Sequence, residues 1–150
     1  MLYVGCFLLA YCLGAIPTAF LVGRRVRGID LRRHGSGNLG ATNVFRTLGP
    51  WWGVLVLLLD MIKGAVPVLL MTALLARRAT DAPLPFHVPP DVLRIAAGFA
   101  AAVGHTLSPF VGFHGGKGVA TTAGAYAILA PYPILVGLGV FARPWDRELL

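Results

Sequence analysis

Residues 2–22 contain no charged side chain. About 20 such residues are what an α-helix needs to cross the hydrocarbon core of a bilayer. This run constrains the rest of the fold, because lipid leaves every backbone polar group to be satisfied internally and so admits only helices and closed barrels. A secretory signal would need a basic stretch before the apolar run and a small-x-small site after it, and neither is present. The tetrapeptide Leu9-Ala10-Tyr11-Cys12 has the bulky Tyr11 where a lipoprotein cleavage site needs a small residue. The run is therefore expected to stay in the protein as its first span.

The same logic divides the rest of the chain. A polar segment, residues 23–50, carries Arg24, Arg25, Arg27, Arg32, Arg33 and Arg46. A second span is expected over 51–76, with Asp60, Lys63 and Pro67 inside it. A Pro-rich connection over 77–91 leads to a third span over 92–111. A glycine-rich turn, 112–118, precedes a fourth span over 119–130, and Pro131 and Pro133 mark a turn. A last apolar run, 134–141, is too short to cross as an ordinary helix and reads as a truncated fifth span. No stretch alternates with the period of barrel strands. The expected fold is an all-α membrane protein, a polytopic transmembrane helical bundle forming a single domain over residues 1–150, with four to five spans.

Composition agrees. The chain is 57% hydrophobic and 13% charged, against about 45–50% and 25% in soluble domains. The net charge of +7 in a soluble protein would suggest nucleic acid as a partner. Here it fits basic loops held on the cytoplasmic side and close to anionic lipid headgroups, and no nucleic-acid partner is expected. Placing the heaviest arginine cluster inside puts the N-terminus outside and both glycine-rich segments, 23–50 and 112–118, on the cytoplasmic face. Arg77 and Arg78 then fall outside, against the charge rule. Cys6 and Cys12 read as packing residues, and the scattered His and acidic residues give no metal cluster.

Two segments carry chemistry. The first is Ser36-Gly37-Asn38-Leu39-Gly40-Ala41-Thr42-Asn43, followed by Arg46. Glycines let backbone approach a ligand closely, and successive N–H groups in such turns form anion-binding concavities. The plain alternative is an interhelical loop with Ser36 or Asn38 capping the next helix. The second is Gly112-Phe113-His114-Gly115-Gly116-Lys117-Gly118-Val119-Ala120-Thr121. A lysine among glycines ahead of a helix suits phosphate, although Val111 and Gly118 stand where a Walker A loop needs Gly and Ser or Thr. The alternative is a tight turn with Lys117 snorkelling. Asp60 and Lys63 lie one turn apart on one helix face, as a structural salt bridge or as substrate contacts. His105, near the second segment, is either a packing residue or a base, and His34 stays open in the same way. His87 and Asp91 have the wrong spacing for the H-x-x-x-x-D acyltransferase pair.

The two segments, in this order with Leu59-Asp60-Met61-Ile62-Lys63-Gly64 and Gly104-His105 between them, resemble the acyl-phosphate:glycerol-3-phosphate acyltransferases. The resemblance covers residues 1 to about 135. It implies a seven-helix bacterial inner-membrane enzyme that moves a fatty acyl group from acyl phosphate to the 1-hydroxyl of glycerol 3-phosphate, giving lysophosphatidic acid. No cofactor, coenzyme A or metal is implied. Ser36, Lys117 and His105 become candidate catalytic residues. Asn38, Gly40, Thr42, Asn43, Arg46, Lys63, Gly115, Gly116 and Gly118 become candidate substrate-binding residues. In that reading Lys117 and the backbone of the adjoining glycines hold the acyl phosphate. A substrate phosphate oxygen or His105 takes the hydroxyl proton. Ser108 stands where the family usually has Pro, and His114 where it usually has Lys or Arg. The family's third motif and about two spans have no counterpart, as in a truncated or frameshifted chain. The rival class is an anion transporter or assembly subunit.

Overall fold

The computed structural model describes residues 2–77, 88–133 and 135–136. Most of the 77–91 connection, with Arg78 and His87, and nearly all of the fifth apolar run lie outside them. Among the described residues the chain is entirely helix, turn and loop: α1 Leu2–Ala15, α2 Thr18–Arg27, α3 Ala41–Leu48, α4 Pro50–Ala76, α5 Pro90–Thr106 and α6 Val119–Leu129. This is the expected all-α membrane bundle. Taken together, α1 and α2 form a 26-residue segment whose most apolar 18-residue stretch has a mean hydropathy of 2.0, and α4 a 27-residue one whose stretch reaches 2.2, each long and apolar enough to cross a membrane.

The first span is not the single helix expected. It breaks at Ile16 and Pro17, because Pro17 has no N–H to continue the ladder and its ring crowds the preceding turn. The carbonyls exposed there are taken up from afar: Ser108 Oγ donates to Ala15 O at 2.6 Å and Lys63 Nζ to Ile16 O at 2.8 Å. After the break α2 runs on to Arg27, into what reads as the polar segment. It ends at Gly28, whose φ of 67° and N–H to Arg24 O, with Ile29 N–H to Gly23 O, make a left-handed cap. The polar segment also holds the eight-residue α3, which hydropathy does not reveal. Gly40, not Ser36 or Asn38, occupies its N-cap position. The third span ends at Thr106 instead of Val111, and the remainder folds into a short 3-10 turn, Pro109–Val111. The second and fourth spans lie within a residue of their expected ends, and α4 runs straight through Pro67.

The helices pack as α1 on α5 and α4 on α6, with α5 also against α4 and α6. Their contact faces are made of small residues: Ala10, Gly14 and Ala15 on α1, and Ala97, Gly98, Ala101 and Gly104 on α5. A Cβ on Gly14 would collide with the Ala101 backbone, and one on Gly64 with Thr121 O. Large apolar side chains point outward instead, including Leu8, Leu58, Ile62, Leu69 and Phe99. Small inside and large outside is the pattern of helices whose solvent is hydrocarbon, where close backbone approach drives association. At one end the pattern reverses. Ala19, Leu31, Leu39, Val44, Leu48, Val56 and Val111 form a buried aliphatic core beneath the loops before α3 and α6.

Candidate functional site

That aliphatic core supports a cavity of about 490 Å³ shared by both glycine-rich segments. Ser36, Asn38, Gly40, Thr42, Asn43 and Arg46 line it from the first, and Lys117 and Gly118 from the second. Asp60 and His105 contribute from α4 and α5. Leu57, Met61, Val119, Ala120 and Ala123 complete an apolar wall.

The first segment is folded around Asn43, which is 1% exposed. Its Oδ1 accepts from Ser36 N–H at 2.9 Å, and its Nδ2 lies 2.9, 3.1 and 3.2 Å from the carbonyls of Asn38, His34 and Leu31. The amide has two N–H donors, so its donors are used within the loop. Asn43 therefore holds the loop in shape, while Ser36, Asn38, Thr42 and Arg46 are the other polar side chains of this segment on the cavity wall. Gly35, at φ 61°, passes directly over this amide, where a Cβ would collide with Oδ1.

The second segment is anchored to the end of α5. Gly115 N–H donates to Thr106 O at 3.0 Å and Gly116 N–H to His105 O at 3.2 Å. These two glycines do not line the cavity, and their amides are already engaged, so the expected cradle of Gly115 and Gly116 N–H groups is corrected. Their role is close packing: a Cβ on Gly115 would meet His105 O, and one on Gly116 the His105 ring at Nε2. Phe113 takes a positive φ of 62° and donates its N–H to Ser108 O, and His114 Nδ1 lies 2.5 Å from Gly112 O. The strap thus presents Lys117 at the cavity.

What replaces the cradle is a pair of helix N-termini. Gly40, Ala41 and Thr42 open α3, and Gly118, Val119 and Ala120 open α6; both openings line the cavity and neither has a side-chain cap. Free first-turn N–H groups and the positive end of the helix dipole favour an anion. Arg46 and Lys117 add full charges, and neither has an ion-pair partner among the described residues. The sequence pattern missed α3, and with it the convergence of two helix ends; Gly40 before Ala41-Thr42 was the available signal.

Lys63 belongs elsewhere. It lies outside the cavity lining, 2.9 Å from Asp60 Oδ1, with its other bond on Ile16 O. The substrate-contact reading of Lys63 is replaced by the salt-bridge one. Asp60 Oδ1 also accepts from Thr18 Oγ1 at 2.5 Å and lies 3.6 Å from His105 Nδ1. At the rim, Arg32 ties the two segments together: its guanidinium pairs with Asp30 at 2.8 Å and donates to Val111 O at 3.1 Å. Hydrogen bonding from Arg32 lowers the Asp30 pKa to about 2. No group of three or more possible metal ligands occurs among the described residues.

The glycerol-3-phosphate acyltransferase family model matches residues 4–143. A glycerol-3-phosphate acyltransferase of Chlorobium limicola is 43% identical over 136 residues, which is 88% of this chain and 55% of that protein. One from Desulforudis audaxviator is 44% identical over 141 residues, 94% of this chain and 62% of that protein. The chain thus spans little more than half the length of these relatives. Among solved structures, an integral membrane glycerol 3-phosphate acyltransferase, PlsY, in its glycerol 3-phosphate form superposes with a TM-score of 0.76 at 37% identity, covering 94% of this chain and 66% of that one. Its lysophosphatidic acid form gives 0.73 at 36%.

Proposed function

The chain belongs to the glycerol-3-phosphate acyltransferase family, and from that premise we propose that its cavity transfers a fatty acyl group from acyl phosphate to the 1-hydroxyl of glycerol 3-phosphate, releasing lysophosphatidic acid and phosphate. The observation that carries this reading is one cavity with two open helix N-termini, two cations without ion-pair partners among the described residues and an apolar wall. Both substrates carry a phosphate, and one carries an acyl chain. Lys117 and the α6 N-terminus hold the acyl phosphate, with its chain against Met61, Val119 and Ala123. Arg46, Ser36, Asn38, Thr42 and the α3 N-terminus hold glycerol 3-phosphate. Acyl phosphate already contains a good leaving group, so the protein's contribution is positioning and neutralisation of the charge gathering on the departing phosphate.

The test is to incubate the purified chain in lipid with acyl phosphate and labelled glycerol 3-phosphate, and to measure labelled lysophosphatidic acid and released phosphate together. Equimolar appearance of both supports the reading. Phosphate release without acylated glycerol would indicate hydrolysis instead. We read residues 1–150 as one transmembrane domain in a bacterial inner membrane, with the N-terminus outside and both motif segments cytoplasmic. In a cysteine-free background, Ser36→Cys and His114→Cys should react with an impermeant thiol reagent only after the membrane is opened, and Ala82→Cys before it. Labelling of Ser36→Cys and His114→Cys from opposite sides would exclude a shared cavity.

A further inference from the structure

Arg32 lies outside the cavity lining, and its guanidinium meets three parts of the motif end at once. Nε and Nη2 donate to the two carboxylate oxygens of Asp30, at 3.1 and 2.8 Å. The guanidinium carbon lies over the Phe20 ring of α2, 5.2 Å from its centre. With the fork held on Asp30 and above the ring, Nη1 donates to Val111 O at 3.1 Å, across 79 positions of sequence. That bond joins the first motif segment to the strap where the strap becomes strained. Gly112 follows at φ 67° and Phe113 at φ 62°, and Phe113 is the one non-glycine residue with positive φ among the described residues. Phe113 is 60% exposed, so its own packing does little to hold it there. A bulky residue keeps such a conformation only where its surroundings over-determine it. Here they are the bond from Phe113 N–H to Ser108 O, the bond from Ser108 Oγ to Ala15 O, and Arg32 on Val111 O. Beyond Phe113 the strap runs through Gly115 and Gly116 to Lys117 on the cavity wall.

We propose that Arg32 is a positioning residue: oriented by Asp30 and Phe20, it clamps the strained strap at Val111 and so sets where Lys117 meets the anion in the cavity. The inference rests on the acyltransferase reading above. The clamp acts on populations. With it, the strap keeps the form that presents Lys117. Without it, the strap relaxes towards forms in which Phe113 returns to negative φ and Lys117 leaves the wall. A ligand that binds one form of a protein loses apparent affinity in proportion to the fraction that form occupies, and once bound it restores that form. Loss of the clamp therefore raises KM for the substrate that Lys117 holds and leaves kcat near normal. Lysine cannot replace Arg32, because a single ammonium cannot grip two carboxylate oxygens in one plane, stack on a ring and still reach a carbonyl.

In the intact chain in lipid, Arg32→Lys should raise KM for acyl phosphate about tenfold, with kcat within about threefold of normal. Phe113→Gly removes the cost of the positive φ. In the Arg32→Lys background it should therefore bring KM back to within about threefold of the unsubstituted value. An arginine that touched the anion directly, or acted through its charge alone, would not be rescued from residue 113. Arg33→Lys, at the neighbouring exposed arginine, should change neither constant. Amide exchange read by mass spectrometry is independent of turnover. Phe113, Gly115 and Gly116 N–H groups are bonded to Ser108 O, Thr106 O and His105 O. The peptide that carries them should exchange about tenfold faster in Arg32→Lys and recover in the double variant. Unchanged strap exchange in Arg32→Lys, a fall in kcat at constant KM, an equal rise of KM in Arg33→Lys, or a double variant no better than Arg32→Lys would overturn the proposal. Should Arg32→Lys fail to fold, Asp30→Asn, which removes the charge that orients the fork, carries the same readings. If the unsubstituted chain transfers nothing, the acyltransferase reading falls, while the exchange arm still decides whether Arg32 clamps the strap.

Discussion

The helix crossings and the motif end of this molecule are held together by opposite means. At the crossings, glycine and alanine bring backbone against backbone, as where Gly124 meets Met61 O and Gly104 meets Tyr11 O. Large aliphatics there face outward. At the motif end, Leu31, Val44, Leu48, Val56 and Val111 are buried as in a water-soluble core, and Arg32 on the turn Leu31–Arg33, Arg46 on α3 and Lys117 on the strap before α6 belong to the same end. The difference follows the solvent. In hydrocarbon, burying a leucine gains little because lipid tails are equally apolar, so fit decides. Where water reaches, burial of large side chains is the driving force. The cavity sits on the boundary, with polar side chains of both motif segments and an apolar wall of Leu57, Met61, Val119 and Ala123 around it.

Gly64→Leu should have the largest effect. The new side chain would drive into the Thr121 backbone, which has no flexible end to yield. A loss of about 4–5 kcal/mol, at the top of the range for single substitutions, is expected. It should appear as a collapse of the thermal transition in detergent and loss of monodispersity. Near-normal melting would mean that the α4–α6 crossing is looser than its geometry. Leu31→Ala comes next. Leu31 is 0% exposed, and truncating such a leucine costs about 3 kcal/mol, part transfer and part cavity. The same truncation at the outward Leu58, 50% exposed, should shift the melting temperature hardly at all. Equal shifts at Leu31 and Leu58 would break the contrast between the two regions.

Lys117→Ala separates chemistry from packing at the motif end. The side chain is exposed and has no ion-pair partner among the described residues, so the melting temperature should stay put. Acyl transfer should fall about 100-fold, equivalent to about 2.7 kcal/mol of transition-state stabilisation. A normal rate would reduce Lys117 to a snorkelling side chain and move the anion site wholly to the helix ends and Arg46.

Hydropathy and charge made the spans legible where helix ends coincide with Pro or charge, as at Pro50 and Val119. Span counting with the charge rule also puts both motif segments at one end, where they share a cavity. The break at Ile16 and Pro17 was not legible, because hydropathy does not register backbone hydrogen bonds. The groups that satisfy the freed carbonyls, Lys63 and Ser108, come from helices far along the chain. For the same reason the sequence leaves Lys63 open between a salt bridge and a substrate contact: its partner Asp60 is visible at i−3, its partner Ile16 O is not. Gly115 and Gly116 read as an anion cradle on residue type alone. Their amides point at the end of α5, a contact that no local pattern encodes.

The smallest expected effect concerns pH, and it probes the water-facing region alone. Asp30 accepts from Arg32 through both its backbone N–H and its guanidinium, at the start of the turn Leu31–Arg33. These bonds favour the ionised carboxylate and lower its pKa to about 2, against about 3.9 in an unfolded chain. The sign follows: the folded state holds the carboxylate's proton less tightly than the unfolded state, so the pair stabilises above pH 4. That contribution is lost as pH falls from about 4 to about 2. Because the guanidinium is partly exposed, with 37% side-chain accessibility, the effect should stay below about 1 kcal/mol and weaken with salt. Asp30→Asn should therefore lower the melting temperature slightly at neutral pH, and the gap to the unsubstituted chain should close as the buffer is taken from pH 4 towards 2. A gap that persists at low pH would mean that Asp30 acts as a cap whose charge is immaterial. Gly64→Ala offers the matching control at a crossing: its loss arises from packing against backbone and should be the same at every pH in that window.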